Sequence, residues 1–368
     1  MRVPIFDLRV IDPELRRELL ESIEKVFDHG RLFLGPEVEE FEYQVAQFIG
    51  TKYAIGVSSG SSALYLALRA VGIGPGDEVI TTPLTWIISS NAISACGATP
   101  VFVDVRDDFN IDPVAIESEI TPRTKAIVPV HYAGHLCDME AIQEIAERNN
   151  ILVIEDAAQA FGAGRYRQRA GSFSVAAGFS MNPMKVLGGY GEAGVVVTSE
   201  EEVFKKIKQL RHAGTTSDPK KVITNDCREV ALNHKMDTIN AALLLVALRH
   251  LSSRMECREM IARRYNSRLP KEIRHQESVS DEVHARYVYP ILTEKRNEFR
   301  RFLESQEIET KIMHEPLACD APVYKGCRAV TPRARKILAE SLIIPSHEKL
   351  TTDQIDFVVN RAASFFNN

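Results

Sequence analysis

Short apolar runs alternate with stretches of helical spacing along the first two-thirds of the chain. The runs at 78–82, 99–105, 125–130 and 151–155 are rich in Val and Ile and predict strands. Small and aliphatic residues at 61–71 predict a helix ended by Gly72 and Gly74, and 138–149 predicts another helix. Strands separated by helices imply a mainly parallel, mixed sheet sandwiched by helices, an α/β architecture. Two more strands are expected at 178–181 and 194–198.

Ser199-Glu200-Glu201-Glu202 has the capping-box pattern and predicts a helix ending near His212, with Gly214 as its stop. A single long helix is expected over 237–264, then a strand at 286–292, a helix at 294–305 and a strand at 309–313. Thr351-Thr352-Asp353-Gln354, a second capping-box pattern, opens a last helix. The chain thus divides into a large domain (1–245), whose first residues reach the other unit, and a smaller C-terminal α+β domain (246–368).

Composition narrows the function. The 368 residues are 45% hydrophobic and 26% charged, with a net charge of −5 and no basic cluster, which speaks against a nucleic-acid partner. Apolar runs such as 241–248 are too short to span a bilayer, and no leader pattern precedes them, so no membrane and a cytoplasmic address are the expectation. Six cysteines without a CxxC pair read as reduced thiols rather than a disulfide or metal framework.

Chemistry concentrates in a few places. Lys185 lies in Ser180-Met181-Asn182-Pro183-Met184-Lys185-Val186-Leu187-Gly188-Gly189, where Pro183 and the glycines break any helix. Asp156 ends the run 151–155. A lysine amine that holds an aldehyde as a Schiff base, with a carboxylate to keep a pyridine nitrogen protonated, is what pyridoxal phosphate (PLP) requires. Ser59-Gly60-Ser61-Ser62 runs from a strand into a helix, as a phosphate site would, and equally as a plain serine cap would. Trp86, the single tryptophan, follows the next strand and reads either as a ring-stacking residue or as core. Gln159 stands one helical turn beyond Asp156, and Ser180 offers a hydroxyl. Gly72-Ile73-Gly74-Pro75-Gly76 ends a helix, so it is a turn and not a dinucleotide fingerprint. His131 and His135 have zinc-like spacing but follow a strand, with Gly134 between them, so no metal is expected.

Taken in order, these segments resemble the DegT/DnrJ/EryC1/StrS family of PLP-dependent sugar aminotransferases. The likeness runs over nearly the whole chain. It includes Val3-Pro4-Ile5-Phe6-Asp7-Leu8, Leu34-Gly35-Pro36-Glu37, Ser59-Gly60-Ser61, Pro83-Leu84-Thr85-Trp86 and Pro129-Val130-His131-Tyr132-Ala133-Gly134. Glu155 to Gln159, Ser180 to Gly194 and Leu232-Asn233-His234-Lys235-Met236-Asp237 complete it. The resemblance implies a fold-type-I PLP-dependent transferase and a homodimer with shared active sites. It makes Lys185 the Schiff-base lysine and Asp156 the partner of the pyridine nitrogen. Gln159 falls near the ring hydroxyl and Trp86 on the ring face. Gly60, Ser61, Ser62 and Ser180 bind the phosphate, Asn233 reaches it from the second subunit, and His314 lies on the substrate side.

Lys235 stands where the family usually has Arg, and Glu192-Ala193-Gly194 replaces the commoner acid-Gly-Gly. Ala318-Cys319-Asp320 lacks a frequent His-Gln pair. The implied reaction moves an amino group from glutamate or glutamine to a nucleotide-linked keto-deoxysugar, in amino-sugar biosynthesis for a surface polysaccharide or natural product. A keto-cyclitol aminotransferase of the scyllo-inosose type would share every residue named. A related sugar dehydratase would carry His in place of Lys185. A catalytically inactive sensor of the same fold is the reading from outside enzymology.

Overall fold

The computed structural model describes residues 1–216, 226–276 and 281–367. Its main sheet has eight strands in the order Tyr53–Val57, Gly194–Thr198, Ala176–Ser180, Leu152–Asp156, Thr124–Val128, Glu78–Thr81, Thr99–Val103 and Ala329–Val330. From Ala176–Ser180 to the far edge every neighbouring pair is parallel, while Gly194–Thr198 runs antiparallel to both its neighbours. Alternate residues of each strand feed opposite faces. Ile80, Ile127, Val153 and Val195 join one buried cluster, and Val79, Ala126, Ile154 and Val196 join the other. Two covered faces explain why these strands read as continuous apolar runs.

Register gathers the strand ends. Gly194 pairs with Val57 on one side and with Ser180 on the other, and Asp156 pairs with Gly178. Val57, Ser180 and Asp156 therefore finish at one edge of the sheet, the carboxyl edge where ligands of parallel sheets gather.

Toward the C-terminus a three-stranded antiparallel sheet, Arg274–His275, Tyr289–Leu292 and Ser341–Ile344, packs with helices Leu251–Arg268, Arg296–Ser305 and Thr352–Phe366. Ile261, Tyr265, Phe299, Leu303, Ile355 and Val358 form a buried cluster of their own there. Val3 is buried in the same cluster, with its amide and carbonyl bonded to Glu307 and Glu309.

Several expectations are corrected. The helix after Ser199 is Glu201–Arg211, with Glu200 at its N-cap and no side-chain capping bond, because the Ser199 hydroxyl accepts the Lys52 amide instead (3.3 Å). The long helix over 237–264 is two helices, Thr238–Arg249 and Leu251–Arg268. They part at His250, whose backbone (φ −93°, ψ 3°) leaves helical geometry, and Glu18 of the first helix holds both Arg249 (2.8 Å) and His250 (3.3 Å). The strand expected at 309–313 is reduced to one bridge, Lys311 with Ile343, since the Glu309 amide is spent on Val3. The strand expected from 286 begins at Tyr289. The Thr351–Gln354 capping box is present on both of its bonds. Helices Pro13–His29 and Pro36–Ile49 were not anticipated, although Asp12 caps the first and each opens on a proline.

Candidate active site

Ser59 accepts the Ser62 amide (3.1 Å) and so caps helix Gly60–Ala70. The cap takes up the Ser62 amide and leaves those of Gly60 and Ser61 without intrahelical partners. A Cβ on Gly60 would lie 2.5 Å from the Ser180 Cβ, so only glycine lets this turn close on the Ser180 strand end. The plain-cap and anion-site readings of this segment are therefore compatible. Ser61 is exposed, whereas the Ser62 hydroxyl is committed to Ser58 (2.9 Å), Ser59 (3.1 Å) and His234 Nδ1 (2.9 Å).

Asp156 is 6% exposed. Its Oδ1 accepts the Ala158 amide (3.1 Å) and its Oδ2 accepts the Ser89 hydroxyl (2.6 Å). Ser89, on helix Ile88–Ala95, is in turn 2.9 Å from the Thr85 hydroxyl. Sequence reasoning passed over Ser89. Its signal was a serine pair in the first turn of an otherwise apolar helix, where a buried hydroxyl needs a partner.

The loop that carries Lys185 is pinned at Asn182, whose carbonyl accepts the Lys185 amide (2.8 Å) and whose side-chain amide donates to Glu192 (2.6 Å). The Lys185 Nζ sits 4.2 Å from the centre of the Tyr287 ring. Burial pushes this amine down to about 8, against the pull of Asp156 and Glu192, which favour its charged form.

An aromatic wall lies beside the lysine. His314 has a positive φ of 64° and sits between Trp86 (ring centres 6.4 Å apart) and Tyr132 (5.8 Å, edge-on). Burial, then the Lys185 and Lys311 cations, push the His314 imidazole down to about 3. His314 Nε2 and Tyr132 Oη are buried polar atoms without a hydrogen-bond partner. Trp86 is 63% exposed, so the core reading of this residue is excluded. Gln159 is buried and its Oε1 accepts the Ala133 amide (2.9 Å).

Asn233 is exposed, on a segment that joins the strand end: the Ser58 amide donates to the His234 carbonyl (2.9 Å). Lys235 Nζ contacts His212 Nδ1 (3.0 Å). The chain therefore brings Gly60, Ser180, Asp156, Lys185, Trp86 and His314 to one edge, while Asn233 faces outward.

His131 and His135 serve separate knots. His131 accepts the Cys137 amide at Nδ1 (3.1 Å), which leaves Nε2 to donate to Glu155 (2.9 Å). Glu155 also accepts the Gly171 and Phe173 amides and the Ser174 hydroxyl. His135 lies against Glu282 (2.9 Å) and stacks on His284 (ring centres 5.3 Å apart). Among the described residues no cluster of three or more metal-ligating side chains occurs. Nor is any described helix long and apolar enough to cross a membrane.

Known proteins are similar to this chain over most of its length. The chain is 40% identical to a dTDP-3-amino-3,4,6-trideoxy-alpha-D-glucose transaminase of Streptomyces venezuelae over 94% of its own length and 91% of that protein. It is 36% identical to a protein of Geobacillus stearothermophilus named pleiotropic regulatory protein, over the full length of both. Among solved structures, NtdA from Bacillus subtilis with bound cofactor PMP superposes with a TM-score of 0.91 at 30% identity, covering 100% of this chain and 86% of that one. The DegT/DnrJ/EryC1/StrS aminotransferase profile matches residues 13–362, and with so much of its length matched the chain belongs to that family.

Proposed function

We propose that the protein is a PLP-dependent aminotransferase that transfers an amino group from L-glutamate or L-glutamine to a nucleotide-linked keto-deoxysugar. The observation that carries this reading is the Lys185 amine, held down to about 8 beside Asp156 at the carboxyl edge of the sheet. The residues present fit the cofactor. A glycine-tight helix start faces a serine at the strand end, a buried carboxylate has lone pairs to spare, and unpartnered polar atoms line the lysine side. When bound, PLP supplies an aldehyde that captures amines and a ring that takes up electrons.

The chain's own groups then divide the labour. Lys185 is neutral often enough near neutral pH to anchor the aldehyde and to take a proton from the donor's α-carbon at Nζ. Asp156 keeps the pyridine nitrogen protonated. Gly60 and Ser61 hold the phosphate with first-turn amides, Ser180 with the proton of a hydroxyl that itself accepts the Asn182 amide (3.3 Å), and Ser62 keeps the turn in shape through its bonds to Ser58, Ser59 and His234. Trp86 covers one ring face. Gln159 stands at the ring hydroxyl, and His314, neutral by burial, borders the substrate.

We place a second copy of the chain against the face of Phe33, Val230 and Leu232, large apolar residues left 68%, 86% and 71% exposed, with Asn233 reaching across to the partner's phosphate. A division of the chain at residue 245 into large and small domains remains part of the proposal.

The test is an acceptor screen with glutamate and glutamine as donors. dTDP- and UDP-linked keto-deoxysugars are compared with scyllo-inosose, and amination is read by mass spectrometry. Amination of scyllo-inosose alone transfers the reading to keto-cyclitols. The name of the Geobacillus relative raises a regulatory role. That role predicts PLP binding with no acceptor turned over. A protein that stays colourless in excess PLP overturns every form of the proposal.

A further inference from the structure

The carboxylate of Asp156 is not held by the backbone alone. Ser89 Oγ lies 2.6 Å from Oδ2, the length of a charge-assisted O–H···O⁻ bond. A carboxylate only accepts, and the other acceptor near this hydroxyl, the Trp86 carbonyl, is farther away (3.3 Å), so the Ser89 proton points at Asp156. The contact between Thr85 Oγ1 and Ser89 Oγ (2.9 Å) is then oriented as well, with Thr85 donating to Ser89. Thr85, Ser89 and Asp156 are 3%, 1% and 6% exposed, so water does not compete for these bonds. The two hydroxyls come from the turn and first residues of helix Ile88–Ala95, and the carboxylate ends a different strand. Thr85 and Ser89 meet locally, but nothing local brings the pair to Asp156.

We propose that Ser89, backed by Thr85, is a positioning residue that keeps the Asp156 carboxylate turned toward the cofactor's ring nitrogen. The inference rests on the PLP reading of the site. With Ser89 on Oδ2 and the Ala158 amide on Oδ1, each oxygen has one donor and keeps a lone pair free for the ring N–H. Two donors fix the plane of the carboxylate, so a free lone pair stays in line with the ring N–H and holds its proton there. Without Ser89 one oxygen loses its anchor, the carboxylate turns, and its hold on the ring N–H weakens. Lys185 is the cation that also faces Asp156, and it remains in every variant. Ser89 touches neither cofactor nor substrate; it acts through the carboxylate.

The experiment uses PLP labelled with nitrogen-15 in its ring, bound to wild type, Ser89→Ala, Ser89→Thr and Thr85→Val. The wild-type nitrogen resonance is expected at the protonated position. In Ser89→Ala it shifts toward the unprotonated position and the PLP dissociation constant rises roughly tenfold, as for loss of a bond to a charged group. Ser89→Thr restores both values, and Thr85→Val gives a smaller shift in the same direction. Apo-protein melting temperatures separate this from a packing role. An unchanged nitrogen resonance in Ser89→Ala overturns the inference, with or without a lower melting temperature. A wild type that fails to bind PLP overturns the functional reading itself, a distinguishable result.

Discussion

The Lys185 amine lies over the Tyr287 ring, 4.2 Å from its centre. A residue on a loop of the main sheet is thus completed by one that lies two positions before strand Tyr289–Leu292 of the C-terminal sheet. The ring walls the amine off from water on that side. Burial depresses the amine to about 8, and the two acids nearby restrain the drop.

A pH dependence follows. In the apo protein only the neutral amine captures an aldehyde, so the rate at which PLP develops its visible band rises with pH and is half-maximal near 8. A midpoint near the ordinary lysine value of 10.5 contradicts the burial. Stability has a matching sign. The unfolded chain binds more protons between about 8 and 10.5, so the Lys185 contribution to apo stability improves as pH rises through that window. Comparing wild type with Lys185→Met in urea at pH 7 and pH 10 isolates it: the gain from the substitution is larger at pH 7.

Lys185→Ala abolishes turnover and the visible band while the protein still folds. Differential scanning calorimetry of the apo forms and absorption spectra in excess PLP check the two halves separately.

Gly60→Ala places a Cβ 2.5 Å from the Ser180 Cβ and pries the helix start away from the strand end. Loss of that close approach weakens PLP binding roughly tenfold, in line with an anion site built on helix amides. Overpacking also costs stability, about 1–3 kcal/mol. Equilibrium dialysis and urea melts measure these effects. Unchanged binding removes the helix start from the phosphate site.

Glu155 and His131 side chains are both 0% exposed and bonded to each other. Removing the acid in Glu155→Ala orphans His131 and the Gly171 and Phe173 amides, at a cost of about 3–5 kcal/mol. Chemical denaturation reads this. A loss below 1 kcal/mol shows that the knot is not structural.

Sequence alone determined the alternation of buried strands and helices, because a strand covered on both faces is apolar along its centre, as at Val153 and Ile154 and at Val195, Val196 and Val197. It also determined the suspects Lys185, Asp156, Gly60, Ser180 and Trp86, because strand ends, a broken loop and a helix start leave local marks. The break at His250 was not legible, since it depends on Glu18, more than 200 positions earlier. Nor was the loss of a strand at 309–313, decided by the pairing of Glu309 with Val3.

Tertiary structure alone joined the suspects. Gly194, paired with Val57 and Ser180 at once, sets the phosphate-side residues at one level, and parallel register brings Asp156 to the same edge. Ser89, Tyr132 and Tyr287 entered the site only through such long-range pairing. A hydroxyl 67 positions from its carboxylate leaves no periodic trace in the chain, because side-chain contacts across a fold are set by register and packing rather than by spacing.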